Sequence, residues 1–309
     1  MTNNLRIVII GLGTQGVKRK VSIGKLCSGS VDPISVAAEY RKIEDVPLDN
    51  YDAAFVCTPE AYKLSIIEYL VGHGKHVLCE KPLSFTAIED YVRIENLANQ
   101  NNVKIYTAYN HRFEPSITKL KAELSADTLG KVYQIRIFYG NGTAKLVSKS
   151  DWRDSGLGVI ADLGSHCVDL LCYWFPEMNF SLKIASVDTF ENNSPDSALL
   201  ISEESNPRIS IEISHCCWEN TFRAEIIGEH GNLSIYGLTK WSTSQLIKQI
   251  RIFPSGIPIK SIENYEYGDK TWELEHDYFY KFVSSEVPID LKTDKFIFKV
   301  LALNLGSKN

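Results

Sequence analysis

Short apolar runs alternate with segments of helical periodicity through the first 112 residues of the chain. Leu64, Ile67 and Leu70, for example, recur at the spacing of one helix face, and Gly72 follows as a stop signal. Such alternation of strands with helices is typical of a doubly wound parallel sheet. We expect no full helix between the second and third strands, because that stretch is short. The predicted strands cover residues 5–10, 34–40, 53–57, 77–79 and 103–108.

The pattern changes after Arg112. Residues 116–124 and 166–174 have helical periodicity, whereas residues 132–139 and several runs between 180 and 236 alternate apolar with polar positions. This alternation predicts strands with one buried face. The sequence therefore predicts a first, α/β domain over residues 1–112 and a second, α+β domain over residues 113–309. The second domain is expected to hold a large open, mainly antiparallel sheet with helices on one face.

A GxGxxG motif directly follows the first predicted strand. Gly11 permits a tight turn, Gly13 lets the backbone approach a pyrophosphate, and Gly16 lets the next helix pack closely on the strand. The N-terminus of that helix would face the phosphates with its N–H groups and the positive end of its dipole. This context predicts a dinucleotide-binding Rossmann domain. The predicted phosphate loop consists of Gly11, Leu12, Gly13, Thr14, Gln15 and Gly16.

The composition excludes several classes of function. Of 309 residues, 44% are hydrophobic and 23% are charged, and the net charge of −5 offers no electrostatic surface for nucleic acid. No apolar run approaches the ~20 residues of a membrane span, so no membrane association is expected. Seven cysteines without CxxC spacing, and an N-terminus without a signal pattern, indicate a reduced, cytoplasmic protein. His215-Cys216-Cys217 ends an alternating run and is interpreted as strand, so no metal site is predicted.

A second candidate site follows the apolar run from Val77 to Cys79. The run ends at Glu80-Lys81-Pro82, which places an acid and a base where a parallel strand should open into a cleft. Pro82 fixes its own φ and can favour a cis bond, which would hold Lys81 in one orientation. Lys81 is therefore a candidate proton-handling group or substrate anchor. The alternative interpretation is an ordinary solvated strand end.

A third candidate site lies around the predicted helix that carries His166. On a regular helix Asp162, His166 and Asp169 occupy positions i, i+4 and i+7 and share one face. Carboxylates one turn away on either side would fix the tautomer of His166 and raise its basicity, which suits a proton shuttle. The alternative interpretation is a polar helix face with Asp162 as the N-cap.

Together these motifs resemble those of the glucose-fructose oxidoreductase / inositol dehydrogenase (Gfo/Idh/MocA) family. The resemblance runs from residue 5 to near residue 237 and rests most specifically on Glu-Lys-Pro and Asp-x-Gly-x-His in that order. The matching segments are Gly11 to Gly16, Cys57-Thr58-Pro59, Gly74-Lys75-His76-Val77 leading to Glu80-Lys81-Pro82, Asn110-His111-Arg112-Phe113, Trp152-Arg153, Asp162 to Asp169, and a late Gly228-x-x-Gly231-x-Leu233.

The resemblance implies an NAD(P)-dependent dehydrogenase that moves a hydride between a secondary alcohol, usually on a sugar or cyclitol, and the nicotinamide. It implies that Lys81 orients the substrate hydroxyl, that His166 is the general acid/base, and that Asp162 supports His166. It also implies that substrate is bound by Arg112, Trp152 and Arg153, and that further cofactor contacts come from Cys57, Thr58, Pro59, Glu80 and Asn110.

The same resemblance implies a homodimer or homotetramer. An apolar open face on the second sheet, contributed by strands between Ile209 and Ile235, would form the contact between subunits. The chain also departs from the family pattern after Thr58-Pro59, where the family often has Asn and, three residues on, His. Here these positions are Glu60 and Lys63.

The preference between NAD and NADP depends on the residue at the end of the second strand. An acidic residue there favours NAD, and an arginine favours NADP. The predicted strand 34–40 places Tyr40 at this point, between Glu39 and Arg41. We predict that all three contact the cofactor, which is NAD or NADP, with NAD favoured.

The substrate class stays open at this point. The leading hypothesis is a sugar or nucleotide-sugar dehydrogenase, and a cyclitol or dihydrodiol dehydrogenase is the alternative within enzymes. A nucleotide-binding sensor without turnover is the alternative outside them, although Lys81 and His166 argue against it because a sensor needs no proton relay. Arg112, Lys145 and Arg153 are candidates to meet a phosphate or uronate, or equally to form structural ion pairs.

Overall fold

The computed structural model describes residues 5–204 and 206–302, which form two compact units. The first unit comprises residues 5–109 and Trp272–Phe298, and the second comprises Asn110–Thr271 and residues 299–302. Each unit has its own sheet. Within the described ranges, no helix has the length and apolar character needed to cross a membrane.

Five parallel strands in the order β2-β1-β3-β4-β5 form the sheet of the first unit. Every residue of β1, β3 and β5 is buried, which is why these strands are continuous apolar runs in the sequence. The predicted doubly wound parallel sheet is confirmed. Its strands are β1 (Ile7–Ile10), β2 (Cys27–Val31), β3 (Ala53–Val56), β4 (His76–Glu80) and β5 (Ile105–Ala108).

Three helices connect these strands and cover the sheet. They are α1 (Thr14–Ile23), α2 (Glu60–Gly72) and α3 (Ile88–Gln100). The apolar positions spaced at helical periodicity, such as Ile67 and Leu70 in α2, are fully buried in the core of this unit. The helix predicted from that periodicity is confirmed as α2.

The position predicted for the second strand is wrong. Residues 34–40 form turns, with Ile34 and Val36 87% and 93% exposed, and Tyr40 makes only an isolated bridge to Val31. The actual strand, β2, lies at the edge of the sheet and consists largely of small or polar residues, so it has no apolar signature. As predicted, no full helix lies between β2 and β3; two short 3₁₀ turns lie there instead, at Ile43–Asp45 and Leu48–Asn50.

The second unit contains an eight-stranded sheet in the order β13-β12-β11-β10-β6-β9-β8-β7. All neighbouring strands are antiparallel except β6 and β9, so the predicted large, mainly antiparallel sheet is confirmed. Its strands are β6 (Val132–Gly140), β7 (Leu182–Asp188), β8 (Ser197–Ser202), β9 (Arg208–Ser214), β10 (Thr221–Gly228), β11 (Gly231–Tyr236), β12 (Ser244–Ile252) and β13 (Gly256–Tyr265). Its helices are α4 (Pro115–Ser125), α5 (Ala144–Val147) and α6 (Ser165–Trp174).

The apolar face of this sheet is buried within the chain itself. Helix α4 and the turn before α6 pack against it, and the alternating apolar residues between Ile209 and Ile235 lie beneath them. The opposite face is mixed: it carries an ion pair of 3.1 Å between Arg136 and Glu225 as well as half-buried apolar side chains such as Phe138 and Ile227. The prediction that the alternating apolar residues of these strands form the open face is therefore wrong. The homodimer or homotetramer stays a prediction.

The C-terminal segment differs from the predicted domain division. Helix α7 (Thr271–Val283) lies largely in the first unit, as does α8 (Lys292–Ala302), rather than in a second domain running through residues 113–309. The ring of Phe279 lies 5.6 Å from that of Phe55 on β3, and the amide of Ile289 donates to Asn99 Oδ1 at 2.9 Å. These contacts complete the core of the first unit, whose first segment ends three residues before the predicted boundary at 112.

Candidate functional site

The glycine loop between β1 and α1 is tightly built at two of its three glycines. Gly11 has a φ of +90°, and a Cβ there would lie 2.6 Å from the carbonyl oxygen of Cys57. A Cβ on Gly16 would lie 1.8 Å from the carbonyl oxygen of Gly11. Only glycine fits either position, because the strand, the loop and the helix meet there without room for a side chain.

The middle glycine is different. A Cβ on Gly13 would have no atom within 4 Å, so the space in front of this residue is open. Gly13 is the N-cap of α1, whose first N–H groups have no partner within the helix, and the first turn of α1 carries no acidic side chain. An open space at a helix N-terminus is suited to a phosphate group.

Asp32 anchors this loop and directly follows β2. Its carboxylate accepts hydrogen bonds from the amides of Leu12, at 2.7 Å, and of Ile34 and Ser35 in the next turn. Partial burial opposes the charge, but these three amides and nearby Arg41 hold the pKa of Asp32 below its usual value. Asp32 lies 20 residues beyond Leu12, and in Rossmann folds an acidic residue at about this distance is typical of the contact with the ribose of a dinucleotide.

The residues predicted for that role lie elsewhere on the loop. The amides of Glu39 and Tyr40 both donate to the carbonyl oxygen of Ser30, so these residues run alongside β2. The guanidinium of Arg41 donates to the carbonyl oxygen of Ser35 at 2.6 Å. Glu39, Tyr40 and Arg41 were expected at the end of the second strand because that strand was predicted at residues 34–40, which is wrong. Their contact with the cofactor stays a prediction.

The Cys57-Thr58-Pro59 segment joins β3 to α2 beside the glycine loop. The amide of Cys57 donates to the carbonyl oxygen of Ile10 at 2.7 Å, and burial raises the pKa of the Cys57 thiol well above its usual value. The hydroxyl oxygen of Thr58 is buried and has no hydrogen-bond partner among residues 5–204 and 206–302. A bound ligand would supply the partner that this hydroxyl needs.

The Glu80-Lys81-Pro82 segment lies at the carboxyl end of β4, and the bond between Lys81 and Pro82 is cis. The carboxylate of Glu80 accepts from Arg19 Nε at 2.8 Å, and Arg19 also pairs with Glu275 at 2.6 Å. Arg19 is almost fully buried, which opposes its charge, but the two carboxylates raise its pKa above the ordinary value. Glu80 is therefore fixed within the first unit.

In the second unit, His166 lies in the first turn of α6, where a helix was predicted. The residues just before it, Ile160–Gly164, form a π-helical turn, so the regular spacing assumed for Asp162 does not hold, whereas Asp169 follows His166 within α6 as expected. Asp162 Oδ2 lies 3.3 Å from His215 Nε2 at the end of β9. The carboxylate of Asp169 is bound by the guanidinium of Arg112 through contacts of 2.9 and 2.5 Å.

The expectation of one regular helix is therefore wrong for Asp162, and the carboxylate of Asp169, although on α6 with His166, is occupied by Arg112. Asp169 is fully buried and forms a bidentate ion pair with Arg112. Burial raises the pKa of Asp169, while the guanidinium of Arg112 opposes that rise. The sequence allowed Arg112 either to bind substrate or to form a structural ion pair, and in the structure it forms the ion pair.

The ring of His166 stacks on that of His111. Their centroids are 3.9 Å apart, with an angle of 34° between the planes. His111 Nε2 lies 3.0 Å from the ammonium nitrogen of Lys240 and 3.2 Å from the hydroxyl of Tyr139, and Nδ1 lies 3.1 Å from Asn110 Oδ1. Three polar side chains, those of Lys240, Tyr139 and Asn110, thus surround His111, on which the sequence-predicted His166 stacks.

This arrangement determines the protonation of His111. An ammonium group only donates hydrogen bonds, so His111 Nε2 accepts from Lys240 and the ring proton lies on Nδ1, where it donates to Asn110 Oδ1. The amide of Asn110 in turn donates to the hydroxyl of Thr271 at 3.0 Å. His111 is therefore a neutral imidazole against which His166 stacks.

The remaining predicted substrate residues lie in a surface loop of the second unit. Trp152 is 74% exposed, and Arg153 is half-buried, with its amide donating to the carbonyl oxygen of Ser150. Lys145 forms an ion pair of 3.3 Å with Glu191. Within residues 5–204 and 206–302, no group of three or more His, Cys, Asp or Glu side chains is arranged to hold a metal ion.

Sequence reasoning missed Asp32, Tyr139 and Lys240. For Asp32 a signal existed, since an acidic residue follows the glycine loop at the expected distance of about 20 residues. Lys240 and Tyr139 lie 129 and 28 residues from His111 in the chain, and no local pattern marks them as its neighbours.

Both units match known protein families. Residues 30–109 match the oxidoreductase family with an NAD-binding Rossmann fold, and residues 117–234 match the GFO/IDH/MocA C-terminal domain. Glucose-6-phosphate 3-dehydrogenase of Bacillus subtilis (strain 168) is 26% identical over 136 residues, which are 42% of this chain and 39% of that protein. Trans-1,2-dihydrobenzene-1,2-diol dehydrogenase of Sus scrofa is 27% identical over 133 residues, which are 43% of this chain and 39% of that protein.

The fold has solved relatives as well. An inositol dehydrogenase homologue from Azotobacter vinelandii, complexed with NAD⁺, aligns with a TM-score of 0.78 and 16% identity. The alignment covers 99% of this chain and 98% of that one. At this identity the likeness shows the fold alone. In sequence, by contrast, the matched segments span 39% of the length of the two curated relatives.

Proposed function

Since this chain belongs to the Gfo/Idh/MocA family of oxidoreductases, we propose that it transfers a hydride between a secondary alcohol of a sugar or nucleotide sugar and NAD(P). The observation that carries this proposal is the glycine loop, with open space in front of Gly13 at the N-terminus of α1. The nicotinamide, when bound, supplies the hydride acceptor or donor. The protein supplies binding, orientation and proton transfer.

The residues of the first unit fit a dinucleotide. The backbone of the loop from Gly11 to Gly16 would hold the pyrophosphate, because Gly13 leaves its approach unobstructed. Asp32 would accept hydrogen bonds from the adenosine ribose, and the buried hydroxyl of Thr58 would gain a partner. Cys57, Pro59, Glu80 and Asn110 complete the proposed cofactor site.

The proton is assigned to Lys81 and His166. When hydride leaves the carbinol carbon, the hydroxyl proton must move to a base as the carbonyl forms. In this proposal Lys81 orients the hydroxyl and His166 accepts the proton, with Asp162 in support. The ring of His166 must become protonated in this step. His111, which stacks on it and is held neutral by Lys240 and Asn110, adds no positive charge of its own.

Two neighbouring substrate classes share this mechanism. Relatives of this chain are named for glucose 6-phosphate and for trans-1,2-dihydrobenzene-1,2-diol, and a structural relative for inositol. A cyclitol or a dihydrodiol therefore stands as the alternative to a sugar. The proposed substrate-binding residues are Arg112, Trp152 and Arg153, of which Trp152 is the most exposed.

The proposed function is tested by following reduced nicotinamide in mixtures of the protein with NAD⁺ or NADP⁺ and glucose 6-phosphate, inositol or trans-1,2-dihydrobenzene-1,2-diol. We expect cofactor reduction with at least one of them, and its loss in His166→Ala. Quenching of tryptophan fluorescence by the cofactor, without reduction on any of a wider set of polyols, would contradict catalysis and indicate a nucleotide sensor.

The cofactor preference is predicted to depend on Asp32. A carboxylate at the ribose site repels a 2′-phosphate, so NAD⁺ should bind more tightly than NADP⁺. Asp32→Asn keeps an acceptor for the amide of Leu12 but removes the charge. This substitution should lower the preference for NAD⁺ over NADP⁺, expressed as the ratio of their affinities, by roughly tenfold, or ~1.4 kcal/mol. Calorimetric titration of both cofactors measures the ratio. Glu89→Gln, an exposed site on α3, is the control for loss of one charge and should leave it unchanged.

A further inference from the structure

Lys63 is a buried lysine on α2, and only 2% of its surface is exposed. Its ammonium nitrogen donates to the carbonyl oxygen of Glu80 at 2.7 Å and to that of Pro82 at 2.6 Å. These two carbonyls stand on either side of Lys81 in the chain. One ammonium group therefore joins the carbonyl oxygens of the two residues on either side of the proposed proton-handling residue.

This bridge constrains the backbone more than a single hydrogen bond would. A buried ammonium must keep its hydrogen bonds, because leaving them unmade in the interior is costly. Glu80 is also fixed independently, through the contact of its carboxylate with Arg19 on α1 at 2.8 Å. The segment that carries Lys81 is thus held from two different helices.

We propose that Lys63 is a positioning residue that sets the placement of Lys81. This inference rests on the proposed function, in which Lys81 orients the substrate hydroxyl. The chemistry is specific to lysine at this position: an ammonium has three donors around one atom, whereas an imidazole has at most one N–H on each of two divergent nitrogens. The histidine expected here from the family pattern would not bridge the two carbonyls in the same way.

The test compares two substitutions that remove similar bridges. Lys75 is the matched control, because its ammonium also joins two backbone carbonyls of the first unit, those of Leu48 at 2.8 Å and Tyr51 at 2.9 Å. Lys63→Met and Lys75→Met should both lower the melting temperature. Only Lys63→Met should lower kcat, by ~10- to 100-fold, as expected when a reacting group is displaced by about 1 Å. Cofactor affinity should stay unchanged in both.

Coupling to Lys81 separates positioning from general damage. If Lys63 acts through Lys81, Lys63→Met should have little further effect on kcat in a Lys81→Ala background. Lys63→Arg, which keeps donors at the end of a long chain, should recover part of the lost turnover. Equal losses of kcat in Lys63→Met and Lys75→Met, or full additivity with Lys81→Ala, would overturn the inference. If Lys63→Met does not fold, Lys63→Gln, whose amide can still serve one carbonyl, replaces it.

A readout without turnover distinguishes this inference from the proposed function. In protein labelled with ¹⁵N-lysine, the backbone amide resonance of Lys81 is assigned by its absence in Lys81→Arg. It should move in Lys63→Met and stay in place in Lys75→Met. An unmoved resonance contradicts positioning by Lys63. If the resonance moves but Lys81→Ala retains full turnover, the inference about placement stands and the proposed role of Lys81 fails.

Discussion

Gly13→Val is expected to weaken cofactor binding by at least about 100-fold, or ~2.7 kcal/mol. Gly13 is the glycine of the loop with open space in front of it, and a branched side chain there would occupy the volume that the pyrophosphate needs. Its φ of −69° is accessible to valine, so the substitution should leave the fold intact. Calorimetric titration with NAD⁺ measures the loss.

Gly72→Val is the matched control for this substitution. Gly72 also has no atom within 4 Å of an added Cβ and needs no positive φ, but it lies at the far end of α2. It should retain wild-type cofactor affinity. Unchanged NAD⁺ affinity in a folded Gly13→Val protein would show that the phosphate loop is assigned incorrectly.

Lys81→Ala and His166→Ala should each reduce turnover by ~10²–10⁴-fold, the range typical of losing a positioned acid or base. Neither side chain is assigned to the pyrophosphate or the ribose, so the affinity for NAD⁺ should stay nearly intact. The pH profile of kcat should lose one limb in His166→Ala, because histidine titrates in the neutral range. Steady-state assays, on whichever alcohol is found to reduce the cofactor, measure both effects. Near-wild-type turnover in both variants would mean that the family resemblance describes the fold and not the chemistry.

Much of the first unit could be predicted from the sequence, because its buried strands are continuous apolar runs. The GxGxxG motif was also recognisable, because it lies between an apolar strand, β1, and a helix, α1. The second strand could not be found in this way. Its sequence, Cys-Ser-Gly-Ser-Val, offers little apolar surface, and an edge strand needs less of it. The error then displaced the residue expected at the ribose from Asp32 to Tyr40.

The candidate site of the second unit was predictable only in part. The helix and its histidine follow from local periodicity, but the π-helical turn that redirects Asp162 leaves no such trace. Partners such as Lys240, in the turn between β11 and β12, are distant in the chain and depend on tertiary structure. The direction of the sheet face was also misjudged, since an alternating strand does not reveal whether its apolar side meets the chain's own helices or another subunit.

The double-mutant cycle on Lys81 and His166 tests the central claim most directly. Turnover is measured in wild type, Lys81→Ala, His166→Ala and the double mutant, on one substrate and at saturating cofactor. If the two side chains act on one proton, the double mutant should lose much less than the product of the two single losses. Full multiplication of the two losses would contradict a shared proton and assign the residues to separate steps.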